Sequence, residues 1–144
     1  MERFHKTRLS MNNFYTYARN LCVVLLAVFA FSSCEEENYY VRDRLLGSWQ
    51  VVETDDYNAT YYPGDVFYFG RNNRFIAYMG DFAYTGTYRV TREYDGDVIT
   101  VWYDDRPGQI AFMARIDALG STYTRWYMID YESGRQYTLR LVYV

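Results

Sequence analysis

Phe82-Ala83-Tyr84-Thr85-Gly86-Thr87-Tyr88-Arg89-Val90-Thr91 alternates with a period of two, and that alternation decides the fold. Phe82, Tyr84, Gly86, Tyr88 and Val90 face one way; Ala83, Thr85, Thr87, Arg89 and Thr91 face the other. Successive side chains of a strand point to opposite faces, so this segment reads as a strand with one face buried and one wet. The pattern returns at Ile110, Phe112, Ala114, Ile116 and Ala118, and again at Tyr137, Leu139, Leu141 and Tyr143. Tyr, Phe, Trp, Val and Thr dominate these runs, as suits a pleated, half-buried surface.

Working outward, the punctuation between runs is hairpin chemistry. Asn72-Asn73, Gly80-Asp81, Asp95-Gly96 and Gly120-Ser121 each separate two strand-like segments. Such pairs supply the positive φ that tight turns require. Asp105 to Gly108 and Glu132 to Gly134 read as slightly longer turns. The pattern predicts eight strands, at 46–54, 65–70, 74–79, 82–92, 97–103, 109–119, 121–131 and 135–144, and one helical turn at Val41 to Leu45. Connections are short, so strands adjacent in sequence are expected to be adjacent in the sheet. Parallel pairing needs crossovers of about a dozen residues or more, and none is present. An eight-stranded meander has two raw edges, which closure removes. The expected fold is therefore all-β, an eight-stranded antiparallel up-and-down barrel. Eight strands enclose room for side chains or one small ligand.

The N-terminal stretch is of another kind. Arg3, Lys6, Arg8 and Arg19 precede an unbroken apolar run of eleven residues, Leu21 to Phe31. A membrane-spanning helix needs roughly 20 apolar residues. The run instead has the proportions of a signal-peptide core behind a basic segment, whether translation starts at Met1 or at Met11. Phe31-Ser32-Ser33-Cys34 follows, and small residues just before a cysteine at this place resemble the lipobox of bacterial lipoproteins. The resemblance implies cleavage before Cys34, acylation of its thiol and anchoring in membrane lipid, with an outer-membrane location on the periplasmic or cell-surface face. The expected organisation is a signal peptide at 1–33, a lipidated cysteine and acidic tether at 34–44, and the barrel at 45–144. Glu35-Glu36-Glu37-Asn38 reads either as a solvated linker or, by resemblance, as the surface-export signal of Bacteroidota lipoproteins.

From Cys34 onward there are 17 acidic and 11 basic residues, a net charge of −6. Every one of those cations is arginine; the single His5 and the single Lys6 fall in the leader. Without histidine, His-dependent catalysis and most zinc sites are excluded. The negative charge argues against a nucleic-acid partner. Cys34 is the sole cysteine of that part, so no internal disulfide can form and packing alone must hold the fold. The carboxylate pairs Asp55-Asp56 and Asp104-Asp105 fall in predicted loops, and no phosphate-binding glycine loop appears. The chain reads as non-enzymatic, with no cofactor and no metal.

Leu45-Leu46-Gly47-Ser48-Trp49-Gln50-Val51 resembles the Gly-x-Trp opening of the lipocalins, and more closely the small lipocalin-like domains of Bacteroidota lipoproteins. Those also carry a Thr-Gly-Thr-Tyr strand, matched by Thr85-Gly86-Thr87-Tyr88. The resemblance implies that Gly47 and Trp49 form a structural signature, with Trp49 plugging the closed end. It also implies an arginine of the last strand packed on that ring; Arg140 is the residue there, although alternation puts it opposite Leu139 and Leu141. A domain of this length with so many aromatics favours a filled barrel over a roomy calyx.

Tyrosine stands out, with 16 from Cys34 onward. Phe82, Tyr84 and Tyr88 read as core. Tyr57, Tyr61 and Tyr62 lie in the one long connection, Thr54 to Asp65, which reads either as a ligand-binding mouth or as a packed lid. In a meander this loop shares an end with Asp81, Tyr103, Arg106 and Arg135, the remaining candidates for ligand contact. Ser133-Gly134-Arg135-Gln136-Tyr137 also fits the S-G-x-x-Y pattern of lipoprotein lysozyme inhibitors. Two readings of function follow. The first is a lipid-anchored barrel that takes a small apolar or amphipathic molecule at its mouth. The second is an interaction module for glycan or protein; a filled barrel with aromatics left exposed favours it.

Overall fold

The computed structural model describes residues 13–24 and 36–144. Two compact units make up the chain, Met1–Cys34 and Glu35–Val144. In the first, residues 13–24 are helical and exposed, and Cys22 is a free thiol. The rest of the apolar run and the Ser32-Ser33-Cys34 motif lie outside the described residues. Among the described residues no helix is long and apolar enough to cross a membrane.

The second unit begins with a short helix, α1 (Tyr39–Leu45), and continues through β1 (Gly47–Thr54), β2 (Val66–Phe69), β3 (Arg74–Met79) and β4 (Phe82–Glu93). Then come β5 (Gly96–Tyr103), β6 (Ile110–Leu119), β7 (Tyr123–Asp130) and β8 (Arg135–Tyr143). Each strand pairs antiparallel with the next, and β8 pairs with β1, closing an up-and-down barrel. Strand ends fall close to the expected ones. β7 starts later because the Gly120 N–H donates to the Tyr123 carbonyl (2.7 Å) and closes the turn over Ser121 and Thr122.

Two turn and strand positions show why the sequence is as it is. Asn72 and Asn73 both have φ of 59°, the left-handed pair that a type I′ hairpin needs. A Cβ on Gly86 would lie 2.1 Å from the Trp102 carbonyl oxygen, so the glycine of Thr-Gly-Thr-Tyr is required where β4 runs against β5 with no room for a side chain.

Rings fill the interior. Phe67 stacks on Trp126 at 5.8 Å and 7° and also contacts Phe75, Phe112 and Tyr61. Phe69 meets Tyr88 and Trp126 edge-on. The Trp126 indole N–H donates to Thr124 Oγ1 (2.8 Å), whose own hydroxyl donates to the Ala118 carbonyl (2.8 Å), so the buried polar atom is satisfied. Each large ring buried in this way contributes about 1.5–3 kcal/mol. No calyx remains.

One end of the barrel is shut by α1. Val41 and Leu45 are buried, and the Trp49 indole N–H donates to the Leu45 carbonyl (2.8 Å). Tyr143 packs edge-on against Trp49 (5.3 Å). Arg140 does not pack there: it alternates with the buried Leu139 and Leu141 and so lies outside the barrel, where it pairs with Glu53 at 3.3 Å. The segment before α1 joins the domain instead of hanging free. The Arg92 N–H donates to the Glu36 carbonyl (3.1 Å), the Asn38 N–H donates to the Val90 carbonyl (2.7 Å), and Glu37 bridges to Thr91.

Candidate functional site

The opposite end, the mouth, is formed by the β1–β2 loop and by the β3–β4, β5–β6 and β7–β8 turns. Its centre is closed by Tyr61. The β1–β2 loop turns this side chain into the barrel, where its ring meets Phe67 (5.0 Å) and Phe112 (5.3 Å) edge-on. Its hydroxyl shares a 2.8 Å hydrogen bond with that of Tyr103. Burial pushes both phenols above their ordinary range. These two tyrosines, expected among the ligand contacts, are therefore fully packed; of the two readings of the loop, the lid describes Tyr61.

The rest of the loop is tied down by backbone and carboxylates. The Val51 N–H donates to the Asp65 carbonyl (2.8 Å), and the Gly64 N–H to that of Val51 (2.8 Å). Asp65 Oδ2 accepts from the Tyr62 N–H (2.8 Å), and partial burial raises this carboxyl above its usual value. Asp55 accepts from the Thr138 N–H (2.7 Å). Asp56 takes both arms of the Arg135 guanidinium (2.8 and 3.1 Å) and the Asn58 N–H (2.8 Å). The Arg135 contact first, and then the Asn58 N–H, holds the Asp56 carboxyl below its usual range. Tyr62 donates its hydroxyl to the Tyr57 carbonyl. Outside this frame Tyr57 is 95% exposed. It lines an open cleft of about 330 Å³ with Thr54, Asp55, Asp56, Tyr62 and Pro63.

Across the mouth, Arg106 donates to Glu132 (2.6 Å), linking the β5–β6 and β7–β8 turns. Burial raises the Glu132 carboxyl against the opposing pull of Arg106. A cleft of about 60 Å³ beside them is lined by Tyr103, Ile110, Ala111 and Tyr131, among others. Arg106 and Arg135 are thus each already paired within the chain, and Asp81 is exposed at the tip of the β3–β4 turn.

Three features lay outside the sequence reading. Phe82 and Tyr84 have the inward parity of Tyr88 but are 69% and 37% exposed, not core. The reason is reach. β2 accompanies β3 only as far as Tyr78, and β5 accompanies β4 only from Gly86 onward. The hairpin projects past its neighbours, with Tyr84 leaning on Tyr103 (5.8 Å) and Phe82 beyond it. Asp130 is the second: a buried carboxylate that accepts from the Tyr137 hydroxyl (3.1 Å) and from the Glu132 (2.9 Å) and Ser133 (3.3 Å) N–H groups. It therefore organises the Ser133-Gly134 turn from within. An Asp two and three residues ahead of the N–H groups it receives, with Ser-Gly following, is the signal for such a turn. The third is at the Trp49 end. α1 and the segment before it border an open cleft of about 620 Å³ with Arg71, Asn72 and Asn73.

Among the described residues no three His, Cys, Asp or Glu side chains are grouped to hold a metal ion. No family model matches the chain, and neither a curated protein nor a solved structure matches it.

Proposed function

We propose that this chain is a lipid-anchored, non-enzymatic interaction module of the bacterial cell envelope, a small lipocalin-like barrel that binds a glycan at its rim and not a guest inside. The observation that carries the reading is the contrast between a filled interior and exposed aromatics around the mouth. Tyr57, Tyr62, Phe82, Tyr84 and Tyr131 stay open to solvent although the same chain buries rings of every type. Large exposed apolar groups rimmed by polar ones mark interaction sites. Tyrosine offers a flat apolar face and a hydroxyl together. Tyr57 stands beside Thr54, Asp55 and Asp56 in an open cleft, an arrangement suited to a sugar ring and its hydroxyls. A small apolar molecule would need an enclosed space, and the stacked rings occupy it.

The anchor is supported by the eleven-residue apolar run ending in Ser-Ser-Cys, and the outer face by the acidic residues that follow. Intact mass of the protein extracted from membranes tests the anchor: acyl chains on Cys34 are expected, and an unmodified thiol refutes it. Amide shift mapping of the domain against envelope oligosaccharides tests the rim. Shifts are expected in the β1–β2 loop and at Phe82 and Tyr84, with affinity falling at least tenfold in a Tyr57→Ala/Phe82→Ala double variant. Shifts centred on Phe67 and Trp126 would return the reading to a small ligand held inside. Binding of a protein surface at the same rim, with no oligosaccharide bound, would favour the inhibitor-like alternative.

A further inference from the structure

The segment that follows Cys34 is fixed to the outside of the barrel almost at once. β3 pairs with β4 only over Phe82–Thr87, which leaves the far half of the longer strand with a free edge on that side. Glu36, Glu37 and Asn38 fill it. The Arg92 N–H donates to the Glu36 carbonyl (3.1 Å), the Asn38 N–H donates to the Val90 carbonyl (2.7 Å), and the Glu37 carboxylate lies 3.7 Å from Arg89. Asn38 then locks the join twice: its Oδ1 caps α1 by accepting the Val41 N–H (3.2 Å), and its Nδ2 donates to Asp97 (2.6 Å). From Cys34 to the first fixed residue there are two chain steps, about 7 Å at full extension.

That length sets an orientation. We infer that the closed, Trp49 end of the barrel rests against the membrane lipid surface and that the mouth points away from it. The inference rests on the acylated Cys34 proposed above. The surface at that end fits a lipid headgroup layer. Tyr39, Tyr40 and Tyr94 are exposed there, with the Arg42 guanidinium 4.7 Å above the Tyr39 ring and that of Arg44 5.9 Å above Tyr40. Tyrosine rings with arginines beside them are the composition of membrane interfaces, where an apolar body and a polar tip sit at one depth. Several acids at this end are engaged within the domain, Asp43 with Arg42, Asp95 with Arg115, Asp97 with Asn38 and Arg92, and Glu37 with Arg89, while Glu36 stays exposed. Arg71 projects from the β2–β3 turn beside the open cleft, exposed to anionic headgroups. Held this way, the rim aromatics of the opposite end face outward, where an envelope glycan can reach them.

The test couples the Cys34–Val144 chain through its Cys34 thiol to a maleimide-headgroup lipid in nanodiscs that also hold a gadolinium-chelate lipid. Relaxation of backbone amides then reports distance from the lipid surface. Enhancement at Tyr39, Tyr40 and Tyr94 is expected to exceed that at Tyr57 and Phe82 by at least tenfold. A twelve-residue Gly/Ser insertion between Glu35 and Glu36 is expected to reduce that ratio at least threefold. Equal enhancement at the two ends overturns the orientation while leaving the anchor standing; a high ratio that the insertion leaves unchanged upholds the orientation and assigns it to the Tyr39–Arg42 face instead of the tether length. A native chain with an unmodified Cys34 removes the anchor, and with it this orientation in the cell, and it is detected separately by mass.

Discussion

The two ends of the barrel are each closed by one aromatic side chain with a hydrogen bond, but the two closures differ in origin. Trp49 belongs to a strand, and its indole N–H is received by the last carbonyl of a helix packed directly on it. Tyr61 belongs to a loop and reaches inward to share a hydrogen bond with another tyrosine, Tyr103. One plug is part of the barrel wall. The other is carried by a segment whose own backbone is secured through carboxylates on the surface. The first end is therefore built to be permanent, and the second can rearrange at smaller cost.

The largest expected effect lies at the permanent end. Trp49→Ala removes a fully buried ring, orphans the Leu45 carbonyl and leaves Tyr143 without its edge-on partner. The expected loss is about 3–5 kcal/mol, against a total stability of roughly 5–15 kcal/mol for a domain of ordinary size. Urea unfolding of the domain measures it. A loss under about 1 kcal/mol would mean that α1 shuts that end without help from the Trp49 ring, and the comparison would break.

At the mouth a smaller change isolates the hydrogen bond from the ring. Tyr61→Phe keeps the packing against Phe67 and Phe112 but leaves the buried Tyr103 hydroxyl without its partner. A buried polar group left unpaired costs about 1–3 kcal/mol, whereas replacing both partners by apolar groups of the same shape is nearly neutral. The double variant Tyr61→Phe/Tyr103→Phe is therefore expected to be more stable than Tyr61→Phe alone in the same unfolding experiment. Additive losses would mean that each hydroxyl has another partner and that the mouth is more rigid than its loop origin implies.

The same difference governs what the sequence makes legible. Trp49 and the whole wall are readable because strand periodicity dictates which side chains turn inward: Gly86, Tyr88 and Val90 are buried as their parity requires. The asparagine turn is readable because two consecutive left-handed residues favour Asn. Parity says nothing about reach, so Phe82 and Tyr84 share the parity of core residues yet project past the rim. Nor does it place loop residues. Tyr57, Tyr61 and Tyr62 are chemically alike and five positions apart at most, but one is a plug, one a strut and one exposed. Their roles follow from the path of the loop, which long-range contacts to Arg135 and Thr138 set. The pairing of Glu36 and Asn38 with β4 was equally hidden, because it depends on how far β3 extends.

The smallest expected effect sharpens the comparison most. Arg135 grips Asp56 with two hydrogen bonds at the surface and so pins the lid loop to the start of β8. Arg135 is half-exposed and Asp56 partly so, and surface pairs of this kind add little to global stability. Arg135→Gln is expected to leave the unfolding midpoint unchanged while speeding amide exchange at Asn58 and Gly64, because local opening of the loop no longer breaks the pin. Protonating Asp56 should loosen the same contact. Its carboxyl is held below the ordinary value of 3.8, so the pin is intact above that value and is lost only as pH falls through the lowered one. Exchange at Gly64, corrected for its intrinsic acid dependence, should therefore accelerate in the wild type at strongly acid pH and show no such step in Arg135→Gln. If Arg135→Gln instead lowered the midpoint as far as Tyr61→Phe does, the surface pin would be holding the plug itself in place. The mouth would then be as permanent as the Trp49 end.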